Sequence, residues 1–339
     1  MTARVGIIGL GRMGARHVEA VGLAGGEVVA ALDTAPEPFA LGPFPKLAGV
    51  LVRSLDALVA ARLDAVIIST TATTHAPLAT AVIQAGVRRV VVEKPATANP
   101  ADAVRLKAVA DRVGARVVVN HGRRYSPNYQ RIRTVLDGSE ALGPLRAVVV
   151  TQGGGGLGCV GVHYLDLCNY LIGALPATVF ARLTTPADIN PRGAQFFDPG
   201  GSVMMLYPNG ARGFVEIGDD VGVLGTIELR FARGFIRIAD EMRPWTIQQR
   251  KAEVRERPMS AYGAPQEEVP FPDFVPHSAV DAARDVLLDA LADGPTTCGI
   301  DVGLGIMQTL AAAHLSHAAG GPVPLPAKEA EMELDLRIP

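Results

Sequence analysis

The stretch VGIIGLGRMGARHVEAV, Val5 to Val21, passes from an apolar run through a glycine-punctuated turn into a helical pattern. Gly9, Gly11 and Gly14 stand in GxGxxG spacing where the strand gives way to the helix. In that context the first glycine makes the tight turn, the second lets backbone approach a pyrophosphate, and the third packs helix on strand. Asp33 lies 19 residues beyond Gly14, at the end of the next apolar run, EVVAALD. A carboxylate there accepts hydrogen bonds from ribose hydroxyls and repels a 2'-phosphate, so the pair predicts a dinucleotide site that favours NAD over NADP.

Working outward, LDAVIIST, RRVVVEK and ARVVVN repeat the apolar run. Nearly continuous apolar strands imply parallel neighbours covered on both faces, hence a doubly wound sheet. HAPLATAVIQAG and NPADAVRLKAVADRVG carry helical periodicity between them, the second with Asn99 as N-cap, Pro100 at the first helical position and Gly114 as the stop. Pro36, Pro38, Pro43 and Pro45 forbid a regular helix in the second crossover, which reads as mostly loop. Residues 1–121 are therefore expected to form a Rossmann domain.

After Tyr125 the pattern changes to one helix, HYLDLCNYLIG, followed by the strands ATVFARLT, GSVMMLY, ARGFVEIG, GTIELRF, FIRI and WTIQQ. Tight turns such as PNG and ARG predict antiparallel neighbours. Two helices, near 278–292 and 303–317, close the chain. Residues 122–339 thus read as an α+β domain on a large open, mainly antiparallel sheet.

With 32 basic against 34 acidic residues and no Lys/Arg block, the chain lacks the long-range field of a nucleic-acid or anionic-membrane binder. No apolar stretch approaches the ~18 residues of a membrane span, and the short apolar run after the N-terminus does not make a signal peptide. Three cysteines suit reduced thiols better than a disulfide framework, so a cytoplasmic protein with a small-molecule partner is expected.

Two further stretches carry chemistry. VVVEKPATANP ends a buried strand with Glu93, Lys94 and Pro95, and ligands of doubly wound sheets sit at that end of the strands. An ammonium there can hold a substrate oxygen as it becomes alkoxide-like, while Glu93 orients Lys94 or meets the cofactor. GGGGLGCVGVHYLDLC places Cys159, His163 and Asp166 at the i, i+4, i+7 spacing of one helical face, with Cys168 turned toward the core. The trio is open to four readings: a working site in which Lys94 and His163 suffice and Cys159 shapes the pocket for a less polar or differently oriented substrate, a degenerate site on a sensor, a metal site, or a thiolate nucleophile beside a histidine. Three mixed ligands without a spaced fourth make a poor zinc signature, and no metal is expected.

GLGRMG, Asp33, TTATTHAPLA, EKP, VNHGRRYSP and GVHYLDL, in this order, resemble the glucose-fructose oxidoreductase, inositol dehydrogenase and rhizopine-catabolism (Gfo/Idh/MocA) family over nearly the whole chain. The resemblance implies NAD-dependent oxidation or reduction of a sugar, inositol or related polyol, and a homodimer or homotetramer assembled through the C-terminal sheet. It places the active-site lysine on Lys94, the proton-accepting histidine on His163, and substrate contacts on Arg123, Cys159 and Asp166. Cofactor contacts fall on Gly9, Gly11, Arg12, Met13, Gly14, Asp33, Thr70, His75, Glu93 and Lys94, with the bond before Pro95 often cis. Two positions depart from the pattern. Thr71 replaces a usual proline, and Cys159 stands where an aspartate commonly precedes the histidine. The family also suggests glycoside cleavage or elimination without net redox, and noncatalytic sensing, as alternatives.

Overall fold

The computed structural model describes residues 2–184, 190, 192–222, 224–258, 260, 264–326, 328 and 331–338. Two compact units emerge: Met1–Tyr125 with Ser278–Gln308 and Lys328–Pro339, and Ser126–His277 with Thr309–Ala327. A single cut between residues 121 and 122 is therefore not how the chain divides. Helix Ala279–Leu291, opened by a Ser278–Asp281 capping box, packs on the first helix (Arg12–Leu23) and on the strands Arg89–Val92 and Arg116–Val119. Asp289 fastens it there, accepting from the Tyr125 hydroxyl at 2.6 Å and from the Arg116 guanidinium at 2.6 Å.

In the first unit, β1 (Arg4–Ile8), β2 (Glu27–Leu32), β3 (Leu51–Val52), β4 (Ala65–Ile68), β5 (Arg89–Val92) and β6 (Arg116–Val119) form a parallel sheet in the order β3-β2-β1-β4-β5-β6. All four residues of β4 are buried, as are the last three of β5 and β6, which explains the unbroken apolar runs. The Asn99 side chain accepts from Asp102 N at 2.7 Å, and Gly114 ends that helix in the left-handed region at φ 64°. Such an N-cap contributes about 1 kcal/mol. The proline-rich crossover contains two 3-10 turns, Phe39–Leu41 and Pro45–Val50, as a segment that cannot sustain a helix should. The two-residue β3 that follows was not evident from the sequence.

The second unit is a nine-stranded sheet of β7 (Leu145–Gly153), β8 (Thr178–Leu183), β9 (Gly201–Leu206), β10 (Arg212–Gly218), β11 (Thr226–Phe231), β12 (Gly234–Ile238), β13 (Thr246–Arg250), β14 (Gln266–Pro270) and β15 (Val323–Pro324). Its order is β14-β13-β12-β11-β7-β10-β9-β8-β15. The expectation of antiparallel neighbours holds except at the centre, where β7 runs parallel to β10. The connection from β7 through helix Val162–Ile172 and the β8-β9 hairpin returns the chain beside β7 in the same direction, a consequence no local turn could reveal. β7, β14 and β15 are additions to the strands expected.

Candidate functional site

Everything expected of the dinucleotide turn converges at the carboxyl ends of β1, β2, β4 and β5. A Cβ on Gly14 would lie 2.3 Å from Gly9 O, and Gly9 itself adopts φ +90° with its α-hydrogen facing Ser69 O. Neither position accepts a side chain without moving backbone. Gly11 differs, because a Cβ there would meet nothing within 4 Å. That open space, at the N-terminus of a 12-residue helix whose first amides point outward, is what a pyrophosphate needs. Arg12 is exposed and Met13 half-buried at the mouth of the turn.

Asp33 does more than the sequence suggests. Its Oδ2 accepts from Leu10 N at 2.6 Å and its Oδ1 from Ala35 N at 2.7 Å, tying the glycine turn to the end of β2. Each carboxylate oxygen keeps a second acceptor direction for a ribose hydroxyl. The residues present fit a dinucleotide.

At the end of β5, Lys94 is half-buried and precedes a cis bond to Pro95. Glu93, 4% exposed, sits beneath it with both oxygens engaged. Its Oε1 takes the Asn120 amide at 2.6 Å and lies 2.8 Å from His17 Nε2, while its Oε2 accepts from Lys94 N at 3.2 Å. Burial alone would raise the Glu93 pKa. The His17 hydrogen bond and charge, the Lys94 charge and the Asn120 amide instead bring it down to about 2, so the group is a carboxylate at any physiological pH. His17 is fully buried and belongs to this network. Its sequence signal was a histidine on the face that also carries Gly14, Ala20 and Val21.

His75 is also fully buried, with Nδ1 2.9 Å from Pro95 O and Nε2 3.1 Å from Thr70 O. Burial holds its pKa below the ordinary value, against two carbonyls that each favour an N–H on the nitrogen they face. At neutral pH one nitrogen donates. His75 thus donates to one of the two carbonyls and packs between Thr70 and the Lys94–Pro95 segment, so any influence on a cofactor passes through those neighbours. Thr70 is half-buried, with its hydroxyl 2.7 Å from that of Thr74. Arg123 is half-buried in the turn Gly122–Tyr125.

In the second unit, Cys159 and His163 are half-buried and Asp166 is 1% exposed. His163 and Asp166 lie on the regular helix Val162–Ile172, whereas Cys159 lies in a π-helical turn, Leu157–Gly161. The single α-helical face expected for the trio is therefore interrupted between Cys159 and His163, because Gly161 N bonds back five residues to Gly156 O at 3.1 Å. Asp198 sets this wider turn. Its buried carboxylate accepts from Gly158 N at 2.6 Å and from Cys159 N at 2.8 Å, and a Cβ on Gly156 would overlap Asp198. Asp219 holds the other end of the glycine run, accepting from Gly155 N at 2.8 Å. Neither aspartate was found by sequence reasoning: Asp198, in FFDPGG, reads as an ordinary turn residue.

Cys168 faces the core as expected, packed toward Gly213 of β10, and burial pushes its thiol pKa up strongly. Behind the same helix the Tyr207 hydroxyl donates to Asn169 Oδ1 at 2.7 Å, with burial, Cys168 and Asp166 all raising the Tyr207 pKa. Asp166 is thus placed among the interior polar groups of its unit. Among the described residues no three His, Cys, Asp or Glu side chains converge as metal ligands, and no helix is long and apolar enough to cross a membrane.

Two family models match the chain, one described as an oxidoreductase family with an NAD-binding Rossmann fold over residues 3–121, the other as the GFO/IDH/MocA C-terminal domain over residues 138–237. An inositol 2-dehydrogenase of Rhizobium meliloti (strain 1021) is 32% identical over 205 residues, 56% of this chain and 60% of that enzyme's length. Inositol 2-dehydrogenase 2 of Saccharopolyspora erythraea is 30% identical over 253 residues, covering 68% of this chain and 74% of that one. Among solved structures, the WlbA dehydrogenase from Bordetella pertussis, in complex with NADH and UDP-GlcNAcA, aligns with a TM-score of 0.74 at 22% identity over 97% of this chain and 100% of that chain. That last likeness speaks to fold alone.

Proposed function

Because the chain belongs to the Gfo/Idh/MocA oxidoreductase family, we propose that it moves a hydride between NAD and a carbon bearing a secondary hydroxyl on an inositol- or sugar-like polyol. The observation that carries this reading is the gathering of the open Gly11 turn, Asp33 and Lys94 at the carboxyl ends of one parallel sheet, across the β1/β4 switch in strand order. The similarity to two inositol 2-dehydrogenases supports the substrate class.

When bound, NAD supplies the two-electron acceptor, and the side chains supply placement and charge. Backbone amides around Gly11 receive the pyrophosphate. Asp33 takes the ribose hydroxyls and repels a 2'-phosphate, so NAD should bind at least about tenfold more tightly than NADP, a gap of about 1.4 kcal/mol. Lys94 donates a hydrogen bond to the substrate oxygen and stabilises the negative charge that grows there. His163 accepts the hydroxyl proton at its imidazole, and Arg123 orients the ring. Burial of Asp166 favours support of the His163 helix over direct contact with a polyol. Cys159 offers a weak acceptor where the family commonly has a carboxylate, which suits a substrate that makes no strong hydrogen bond there.

Assembly into a dimer or tetramer through the second unit's sheet belongs to the same proposal. It is supported by the row Phe180, Met204, Phe214 and Val149 in register across β8, β9, β10 and β7, each partly exposed.

Incubating the protein with NAD and a panel of inositols and sugars, while following absorbance of reduced nicotinamide, tests the reading. Net reduction of the cofactor supports it. Product without net reduction would point to the glycosidase-like route, and tight NAD binding without turnover to a sensor.

A further inference from the structure

Beneath Lys94 lies a buried polar cluster that the proposed mechanism does not use. Glu93 comes from the end of β5, His17 from the helix that follows the glycine turn, and Asn120 from the end of β6. The three residues are 4%, 0% and 6% exposed, a costly place for a carboxylate unless its acceptor positions are filled. They are filled: His17 at 2.8 Å and Asn120 at 2.6 Å share Oε1, and the Lys94 backbone N–H takes Oε2 at 3.2 Å. His17 commits only Nε2, since no partner for its Nδ1 is found among the described residues.

From this geometry we propose that Glu93, locked by His17 and Asn120, is the positioning residue for Lys94. It fixes the backbone from which the lysine projects and sets a permanent negative charge beside the ammonium. His17 makes the arrangement part of the nucleotide turn, because it rises from the same helix whose first residues receive the pyrophosphate. The proposal rests on Lys94 being the group that meets the substrate oxygen. Lys94 bears on the Glu93 carboxylate through its charge and His17 through its hydrogen bond, and His75 of helix Ala72–Gln84 lies close enough to feel both Glu93 and Lys94.

The chain has five lysines, and Lys46 and Lys251 are exposed, so amine labelling with peptide mass spectrometry can report Lys94 against internal references in the same molecule. Glu93→Gln removes the negative charge near the Lys94 amine and loosens the backbone that the carboxylate holds. Labelling of Lys94 relative to Lys251 should rise about threefold or more, kcat should fall about tenfold, and the KM for NAD should move less than about twofold. In a Lys94→Ala background the same substitution should cost nothing further, because a residue acting through another loses its effect when that other is gone. Unchanged labelling in a folded Glu93→Gln protein, or losses that simply add in the double variant, would overturn the proposal.

If Glu93→Gln does not fold, His17→Leu and His17→Gln carry the same test. Loss of kcat with leucine and recovery with glutamine, which keeps an N–H donor, support the proposal; equal loss or no loss in both overturns it. Labelling needs no turnover, so it answers even if no polyol proves to be a substrate.

Discussion

The two regions that hold the expected catalytic groups solve the same problem in different ways. Lys94 stands on a side-chain network, with Glu93, His17 and Asn120 drawn from three elements of one sheet and its covering helix. Cys159 stands on a backbone device, a π turn in a glycine run whose amides are held by the Asp198 and Asp219 carboxylates. The first arrangement places a buried carboxylate near the lysine proposed to meet the substrate oxygen. The second engages its carboxylates with loop amides, and position 159 itself carries a thiol. The difference sets a side-chain network under the proposed electrostatic centre against a backbone turn under the proposed substrate wall.

Substitutions at the reacting groups should break the comparison most severely. Lys94→Ala and His163→Ala should each lower turnover by about 10² or more with NAD affinity nearly unchanged, as expected of groups that act on the transferred proton and the oxygen. Calorimetric NAD titration beside steady-state rates checks both halves of that statement.

Next in size is an acid effect confined to the first region. The Glu93 pKa lies at about 2 in the folded chain against an ordinary 4.5. Its contribution to stability, on the order of 3 kcal/mol, is therefore complete above about pH 4.5 and disappears as pH falls through 2. Urea unfolding from pH 6 downward should show a flatter decline for Glu93→Gln than for the parent, and parallel curves would contradict it.

The second region should respond more mildly. Asp198→Ala strips two charge-assisted hydrogen bonds from the π turn, and its partial rearrangement should raise polyol KM by about tenfold, leaving NAD binding within about twofold. Equal losses for polyol and NAD would mean that Asp198 serves general stability. Smallest of all, Cys159→Ser should retain activity within about threefold, whereas Cys159→Asp should shift preference toward polyols with one more hydroxyl to bind. Complete loss in the serine variant, with a substrate adduct trapped on Cys159 of the parent, would replace the substrate wall by a nucleophile.

The same contrast explains what the sequence could reveal. The parallel sheet was legible because each strand's burial follows from its own residues, as in AVII of β4, and because Asn99 and Gly114 mark a helix by local chemistry alone. The glycine turn was legible for the same reason, whereas the role expected of Lys94 came from the family resemblance. β7 escaped because LRAVVVTQG carries no turn signal to relate it to its partners, which lie more than 50 residues away. Helix Ala279–Leu291 was seen, but its place beside the first helix was not, since nothing in AVDAARDVLLDAL names the surface it covers. Asp198 and the His17–Glu93 pair exist as devices only after distant segments meet.

One experiment reaches the central claim most directly. An inositol or sugar that proves active, carrying deuterium at the carbon of the reacting hydroxyl, can be turned over with NAD and the reduced cofactor examined by mass spectrometry. Direct transfer to NAD requires the deuterium to be recovered in the cofactor, one atom for each substrate molecule oxidised, with the label appearing more slowly by about 10² or more in Lys94→Ala. Oxidised product with the deuterium released to water would contradict it.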